Sequence, residues 1–236
     1  MRSAAPVPFA ALLVMAGSGT RFGGSVPKVQ VELGGEPLWR VGARTLAGVP
    51  GCVGLVLVVA AGAEEAVRSA AAPLPGVRVV RGGPRRQDSV RLGLAALPAE
   101  ARVVAVHDAA RPLVAAGHAA AVVEAADRHG AALLAVPARD TVKRVDAAGR
   151  VTATLDRSEL WLAQTPQCFR VELLRAAHAA AERDGVDVTD DAALVERGGG
   201  EVRVVRGDPW NLKVTEPDDL VVVRALAAQR GAADAP

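Results

Sequence analysis

Short valine-rich runs alternate with alanine-rich stretches between residues 9 and 137, and this alternation limits the chain to few folds. The runs are apolar almost throughout, which is typical of strands covered by helices on both faces. We predict strands over residues 9–15, 53–60, 77–81, 103–107 and 132–137. The intervening segments predict helices over residues 37–46, 64–71, 89–97 and 115–128, the third capped by Asp88. The alternation therefore predicts an α/β fold with a mostly parallel sheet and ligand sites at the carboxyl ends of its strands.

The pattern changes after residue 137. Two β-branched runs, 140–145 and 151–155, flank the turn 146–149 and predict a hairpin. Because a two-stranded ribbon is not stable alone, we expect it to pack against a second copy of the chain. The chain resumes with helices at 171–183 and 191–197, a strand at 202–206 and a last helix opened by Thr215 with Asp218. We expect one domain over residues 1–236, with residues 138–158 as an arm.

Composition excludes several classes of protein. The chain has 236 residues and a net charge of +2, and its basic residues are scattered, so we expect no nucleic-acid partner. No apolar run approaches the ~20 residues that span a bilayer, and the N-terminus lacks a signal-peptide pattern. Two distant cysteines make no disulfide framework. We therefore expect a cytoplasmic protein with no membrane partner.

A glycine-rich loop, Met15-Ala-Gly-Ser-Gly-Thr-Arg-Phe-Gly-Gly-Ser-Val-Pro-Lys28, follows the first predicted strand. Backbone N–H groups in such a turn can face a phosphate. Lys28 is one of only three lysines, with Lys143 and Lys213, in a chain that otherwise uses arginine. A compact ammonium suits a site where one charge must reach one oxygen. The loop indicates a site for a reacting polyphosphate; the alternative is a tight turn with solvated Arg21 and Lys28.

Two common phosphate motifs do not match this loop. A Walker A loop would place Ser or Thr directly after the lysine, but Val29 follows Lys28. The dinucleotide fingerprint needs glycine where Phe22 stands, and no acidic residue closes the second predicted strand. A dehydrogenase is therefore a weak alternative.

Three further segments carry candidate chemistry. His107-Asp-Ala-Ala-Arg-Pro112 puts Asp108 at a strand's carboxyl end with Arg111 nearby, although an ordinary ion pair would look the same. Gly82-Gly83 allows close approach of a flat base or a ribose, and Ser89 offers a hydroxyl, although a simple turn and helix start would also fit. Arg157 and Lys213 can bind a phosphate monoester, although isolated residues of this kind are more often solvated. We interpret His107 as a packed strand-end residue, and no nucleophile for a covalent mechanism stands out.

Read together, these segments resemble the 2-C-methyl-D-erythritol 4-phosphate cytidylyltransferases, a family of the sugar-type nucleotidyltransferases. The resemblance runs from about residue 10 to residue 226. It rests on the glycine loop and on Asp88-Ser89, His107-Asp-Ala-Ala-Arg-Pro112, Arg139-Asp-Thr-Val-Lys143, Asp156-Arg157, Thr165-Pro-Gln167, Thr189-Asp190 and Asn211-Leu-Lys-Val-Thr215. One departure is Met15, where the family usually has alanine; the larger side chain is tolerated there if it points into the core.

The resemblance implies a Rossmann-like, mostly parallel sheet with helices on both faces and a protruding β-arm that makes a homodimer. It implies cytidylyl transfer from CTP to the polyol phosphate, with a divalent cation, usually Mg²⁺. The resemblance also implies roles for individual residues. Arg21 and Lys28 would stabilise charge on the CTP phosphates, and Arg157 and Lys213 would position the acceptor phosphate. The acceptor pocket would be formed by Asp108, Arg111, Thr141 and Thr165, with Thr141 and Arg157 reaching it from the partner's arm. The nucleotide would be held by Ala16, Gly17, Gly19, Gly82, Gly83 and Ser89, and Asp108 would be the metal ligand.

Two other functions remain open from the sequence. A cytidylyltransferase for another polyol phosphate, such as ribitol 5-phosphate, would share the fold and the donor. A non-catalytic nucleotide-binding module would keep the glycine loop but would not need both Lys28 and Lys213.

Overall fold

The structure, a computed structural model, describes residues 5–17 and 28–233. The strands of the described part are β1 Phe9–Val14, β2 Glu32–Leu33, β3 Glu36–Pro37, β4 Cys52–Val59, β5 Val77–Arg81, β6 Val103–Asp108, β7 Ala131–Pro137, β8 Lys143–Val145, β9 Val151–Thr154, β10 Trp161–Arg170 and β11 Arg203–Arg206. The α-helices are α1 Leu38–Ala47, α2 Glu64–Ala71, α3 Arg86–Ala95, α4 Ala116–His129, α5 Val171–Asp184, α6 Asp191–Arg197 and α7 Pro217–Ala233.

The main sheet has seven strands in the described part of the chain, in the order β11-β7-β10-β6-β1-β4-β5. β1 pairs in parallel with β4 and β6, β4 with β5, and β7 with β11. β10 is antiparallel to both of its neighbours, β6 and β7. The predicted mostly parallel α/β sheet is therefore confirmed, and one reversed strand is added to it.

Helices cover both faces of the sheet. On one face Trp39 of α1, Val67 of α2 and Val122 of α4 pack on alternate residues of the strands. On the other face α3, α5 and α6 pack on the remaining residues, with Leu174 of α5 fully buried. Helix α7 closes a third, smaller cluster with Leu38 and Val214. Since both faces are covered, the strands need no polar face, which explains the near-continuous apolar runs.

The structure corrects the predicted elements at four places. β10 and the short β2–β3 hairpin were not predicted. Helix α3 begins at Arg86, three residues before the predicted start. Asp88 is therefore not its N-cap but the third helical residue, whose carboxylate accepts a hydrogen bond from the backbone N–H of Arg85 (3.3 Å). At α7 the carboxylate that accepts hydrogen bonds from the N–H groups of Thr215 and Glu216 belongs to Asp219, and not to Asp218.

The predicted hairpin is present as β8 and β9, which form a separate two-stranded sheet. Its turn is held by Asp146, whose Oδ1 accepts hydrogen bonds from the backbone N–H groups of Ala148 (2.9 Å) and Arg150 (3.0 Å). Val145 and Val151 expose more than half of their surface.

Within the described residues, no helix is both long and apolar enough to cross a bilayer.

Candidate active site

A cavity of about 560 Å³ opens where β1 and β6 end, at the carboxyl edge of the sheet. This is the edge at which parallel α/β sheets bind their ligands. Several segments that are distant in sequence meet there. The lining residues are Val14, Met15, Ala16, Gly17, Lys28, Val29, Gly83, Pro84, Arg85, Arg86, Ser89, Asp108, Ala110, Lys213 and Thr215.

One wall of the cavity is built from backbone and small side chains. Gly82 packs directly behind this wall and is not itself a lining residue. A Cβ added to Gly82 would lie 2.5 Å from the Cβ of Ala16 and 2.8 Å from the Oγ of Ser89. Glycine is therefore required there by close packing. The Ser89 hydroxyl is buried, accepts a hydrogen bond from the N–H of Gly83 (3.1 Å) and donates to the carbonyl of Arg85 (3.1 Å). This hydroxyl ties the Gly82-Gly83 turn to the first turn of α3.

The glycine loop is described in part. Ala16 and Gly17 line the cavity, and Met15 is 6% exposed and packs in the core, as expected for a larger residue there. Lys28 opens a 3₁₀ turn over Lys28–Gln30 and also lines the cavity. Gly19, predicted to hold the nucleotide, and Arg21, predicted to stabilise charge on the CTP phosphates, lie outside the described residues.

Asp108 stands at the centre of a cluster of cations. Its Oδ2 lies 2.8 Å from Nζ of Lys213, its Oδ1 lies 3.4 Å from Nε of Arg86, and Nε of Arg111 is 3.9 Å from Oδ2. Burial alone would raise the pKa of Asp108, but the charges of Arg86, Lys213 and Arg111 outweigh it and hold the pKa well below its usual range. Asp108 is therefore an anion at neutral pH.

Behind Asp108, a buried pair fixes the end of β6. The Thr165 hydroxyl accepts a hydrogen bond from the backbone N–H of Asp108 (3.0 Å) and donates to Nδ1 of His107 (3.0 Å). The other ring nitrogen of His107 then donates to the carbonyl of Arg111 (3.0 Å). Burial lowers the pKa of His107 to about 4. His107 is thus a neutral, packed residue with both nitrogens engaged, which agrees with its interpretation from sequence.

Arg86 connects the cavity with two helices on the far side. Its Nη1 lies 2.6 Å from Oδ2 of Asp191, a carboxylate that is 1% exposed at the start of α6. The other oxygen of Asp191 lies 3.2 Å from Nε2 of His178 on α5. Burial alone would raise the pKa of Asp191, but His178 and Arg86 outweigh it and lower the pKa. A chain of charges therefore runs from Lys213 through Asp108 and Arg86 into the core.

The loop that carries Lys213 is held on both sides of that residue. Asn211 is 1% exposed; its Nδ2 donates to the carbonyl of Thr165 (2.8 Å), and its own carbonyl accepts from Nη1 of Arg111 (2.7 Å). On the other side, the backbone N–H of Val214 donates to the carbonyl of Ala110 (2.8 Å). Fixed points on either side bring Lys213 to Asp108 although the two are far apart in sequence.

Other predicted site residues lie away from the lining. Thr141 and Arg157 are exposed, and Nη1 of Arg157 donates to the carbonyl of Arg139 (2.8 Å). Neither residue lines the cavity of its own chain. Arg111 and Thr165 stand behind Asp108 and form its support.

Three lining residues, Arg85, Arg86 and Thr215, were not among the predicted site residues. The signal for the first two was the cluster of basic residues from 81 to 86, which favours a small anion but does not say which arginine points inward. Arg85 forms a bidentate pair with Asp88 at 2.8 Å for both contacts, so Arg86 is the arginine that reaches Asp108.

Comparison with known proteins gives the same assignment throughout. The family model described as 2-C-methyl-D-erythritol 4-phosphate cytidylyltransferase matches residues 9–229. The chain is 47% identical to the protein of that name from Symbiobacterium thermophilum, covering 93% of both chains. It is also 51% identical to a bifunctional IspD/IspF enzyme from Anaeromyxobacter dehalogenans, covering 91% of this chain but only 56% of that relative. The chain thus spans about half the length of the bifunctional relatives it matches.

Solved structures agree with the sequence relatives. The 4-diphosphocytidyl-2C-methyl-D-erythritol synthase of Anaerococcus prevotii superposes with a TM-score of 0.84 at 27% identity, covering 94% of this chain and 96% of that one. The 2-C-methyl-D-erythritol 4-phosphate cytidylyltransferase of Thermus thermophilus superposes with a TM-score of 0.76 at 34% identity, covering 92% and 98%. On this fold, this site and these relatives, the chain belongs to the 2-C-methyl-D-erythritol 4-phosphate cytidylyltransferase family.

Proposed function

We propose that the chain transfers a cytidylyl group from CTP to 2-C-methyl-D-erythritol 4-phosphate, which gives the CDP-alcohol and pyrophosphate for isoprenoid precursor synthesis. Family membership supports the reaction. The observation that carries it in the structure is the charge of the cavity: four basic residues line it in the described part of the chain, against the single carboxylate of Asp108. Such a cavity suits two phosphate-bearing substrates.

The reaction needs charge neutralisation more than proton transfer. An oxygen of the acceptor phosphate attacks the α-phosphorus of CTP, the bond from that phosphorus to the bridging oxygen of the β-phosphate breaks, and pyrophosphate leaves with the electron pair. The acceptor is already an anion at neutral pH, so no strong base is required. This agrees with the state of His107, whose ring is buried, neutral and fully hydrogen-bonded. Catalysis then rests on holding two anions together and offsetting the charge that develops between them.

Each half of the cavity supplies part of this task. On the donor side, the Gly82-Gly83 turn and the Ser89 hydroxyl read the base, with Ala16, Gly17 and Gly19 beside it. Lys28 and Arg21 bind the triphosphate of CTP. On the acceptor side, Lys213 binds the acceptor phosphate and is held in place by Asp108. Arg111 and Thr165 lie behind Asp108 and support it. The close approach at Gly82 and the 2.8 Å contact of Lys213 with Asp108 support these roles.

A divalent cation, Mg²⁺ in the first instance, fits the donor set present. Mg²⁺ usually takes one or two carboxylates and completes its shell with substrate phosphates and water. Asp108 is the one acidic residue among the described lining residues, and its two oxygens keep lone pairs beyond those facing Lys213 and Arg86. Asp108 would hold the ion together with the triphosphate, and the ion would supply positive charge at the α-phosphate. No group of three or more acidic, cysteine or histidine ligands occurs among the described residues.

The arm is the proposed dimer contact, within a single catalytic domain over residues 1–236. The β8–β9 hairpin is a ribbon of two strands, and such ribbons need a packing partner. Val145, Val151 and Leu162 each expose more than half of their surface on the arm or next to it. A second copy of the chain would cover them and receive Thr141 and Arg157 into its own acceptor pocket. The cytoplasm, where CTP is available, is the proposed compartment.

One assay tests the function. Pyrophosphate release is measured with CTP, UTP or ATP as donor and with 2-C-methyl-D-erythritol 4-phosphate or ribitol 5-phosphate as acceptor. We expect turnover with CTP and methylerythritol phosphate. Turnover of ribitol 5-phosphate alone would refute the acceptor, and equal use of ATP would refute the base-reading role of the Gly82-Gly83 wall.

A further inference from the structure

The last turn of α7 touches the loop that carries Lys213, outside the lining of the cavity. Nη2 of Arg230 lies 3.0 Å from Oδ2 of Asp208, and its guanidinium carbon sits 5.6 Å from the centre of the Trp210 ring. Nη1 of the same side chain donates to the carbonyl of Leu113 (2.7 Å), in the loop that follows β6. One planar guanidinium thus joins the loop that carries Lys213 to the loop that directly follows Asp108.

Asp208 connects the Arg230 guanidinium to the backbone of the loop. Its Oδ1 accepts a hydrogen bond from the N–H of Trp210 (2.8 Å), and its carbonyl accepts from the N–H of Asn211 (2.9 Å). The carbonyl also accepts from Nε2 of Gln164 on β10 (2.9 Å). Lys213 follows Asn211 by two residues, so the conformation of the turn 208–211 sets the path of the backbone that leads to it.

We propose that Arg230 is a positioning residue for Lys213: it clamps the turn 208–211 to the loop after β6 and so fixes the ammonium that receives the acceptor phosphate. The inference rests on the proposed role of Lys213. The guanidinium suits this task because its rigid fork serves a carboxylate, a carbonyl and an aromatic face at once. Lysine, a single point charge, can keep the pair with Asp208 but not all three contacts.

The clamp acts on the acceptor and not on the donor. Arg230 and Asp208 do not line the cavity, whereas Lys213 does. Loosening the turn would therefore let Lys213 move relative to Asp108 while the Gly82 wall stays in place. A displacement of about 1 Å in a substrate-positioning group costs on the order of 10²-fold in rate.

The test compares Arg230→Gln, Arg230→Lys and Asp208→Asn with Arg224→Gln as control. Arg224 lies on the same helix, is exposed and donates at 3.3 Å to the carbonyl of Glu32, away from the Lys213 loop. We expect Arg230→Gln and Asp208→Asn to raise KM for methylerythritol phosphate and to lower kcat/KM for it about 10-fold to 10²-fold, with KM for CTP unchanged. Arg230→Lys should fall between Arg230→Gln and the unmodified chain. Arg224→Gln should match the unmodified chain.

A second readout does not depend on activity. Amide hydrogen exchange should quicken at Asn211 and Val214 in Arg230→Gln, and not in Arg224→Gln. The double variant Arg230→Gln/Asp208→Asn should be no worse than either single one, since both remove the same contact. Equal losses for CTP and methylerythritol phosphate, or unchanged exchange at Asn211, would overturn the inference. Normal turnover of Lys213→Gln would instead overturn the role of Lys213 itself, so the two failures are distinguishable.

Discussion

Nζ of Lys213 lies 2.8 Å from Oδ2 of Asp108, and the two residues, one at the end of β6 and the other in the loop before α7, are about a hundred residues apart in sequence. Asp108 is held as an anion by three basic residues, and Lys213 is the most exposed of them. The ammonium is thus anchored on one side and open to the cavity on the other. A phosphate that enters the cavity would meet a cation already in place.

The first prediction concerns this lysine. Lys213→Gln should lower kcat/KM for methylerythritol phosphate about 10²-fold to 10³-fold, because a preorganised charge is lost from the site. Lys213→Arg should recover little, since a planar fork cannot replace a compact charge at this spot. Arg197→Gln, which changes an exposed pair with Asp184, serves as control and should not alter turnover. Steady-state kinetics with each substrate varied in turn decide the outcome.

A second prediction concerns the wall at Gly82. Gly82→Ala should raise KM for CTP about 10-fold and lower the free energy of unfolding by about 1–3 kcal/mol, because the new methyl group would meet Ala16 and Ser89 at less than 3 Å. Gly117→Ala is the matched control: it lies in α4 with nothing within 4 Å of its added Cβ. That variant should keep its KM and be no less stable. A normal KM for CTP in Gly82→Ala would show that this wall does not read the nucleotide.

His107 gives a prediction about pH. Its pKa is about 4 in the folded chain and about 6.5 when unfolded, so the unfolded state takes up the proton first. Stability from this group is complete above pH 6.5 and is lost as the pH falls towards 4, by about 3 kcal/mol in total. Urea unfolding at pH 7 and pH 4.5 should show the loss, and His107→Gln should show less of it. His129→Gln, an exposed change on the same residue type, should retain the pH dependence of the unmodified chain.

The arm gives a prediction about shared sites. Lys28→Ala and Arg157→Ala should each be nearly inactive alone. If Arg157 acts in the partner's site, a mixed dimer has one site free of both changes, so random reassortment should restore about a quarter of normal activity. No recovery on mixing, with dimers present by light scattering, would place Arg157 in its own chain's site.

The fold follows from the sequence where burial alone decides the pattern. β1, β4 and β6 are apolar on both faces because helices cover both, and these strands could be predicted from their apolar runs. β10 was missed because it carries Gln164, Thr165, Pro166 and Gln167, a composition typical of a loop. These polar groups are satisfied by distant partners: Gln164 bonds to Asp208, and Gln167 to Asp190 and the N–H of Ala192. No local sequence pattern predicts hydrogen-bond partners that are so distant in sequence.

The site could be predicted from the sequence to about the same extent as the fold. Glycines and charged residues after strands could be assigned to one edge of the sheet because parallel strands end together. Arg86 was not assigned, because its buried partner Asp191 lies 105 residues away in sequence. The N-cap of α3 was misplaced for a local reason, since Asp88 serves the third helical position as well as it would serve the cap.

The reversed strand has a consequence for how the chain is made. β10 lies between β6 and β7, although both precede it in the sequence. Until residue 170 has left the ribosome, the sheet stays open in the middle, with two apolar strands whose facing edges lack their partner. At about 5–20 residues per second this exposure lasts a few seconds. Open apolar edges of this kind pair readily with other chains. The nascent protein is therefore most vulnerable to association just before its last central strand arrives, while the arm is already complete.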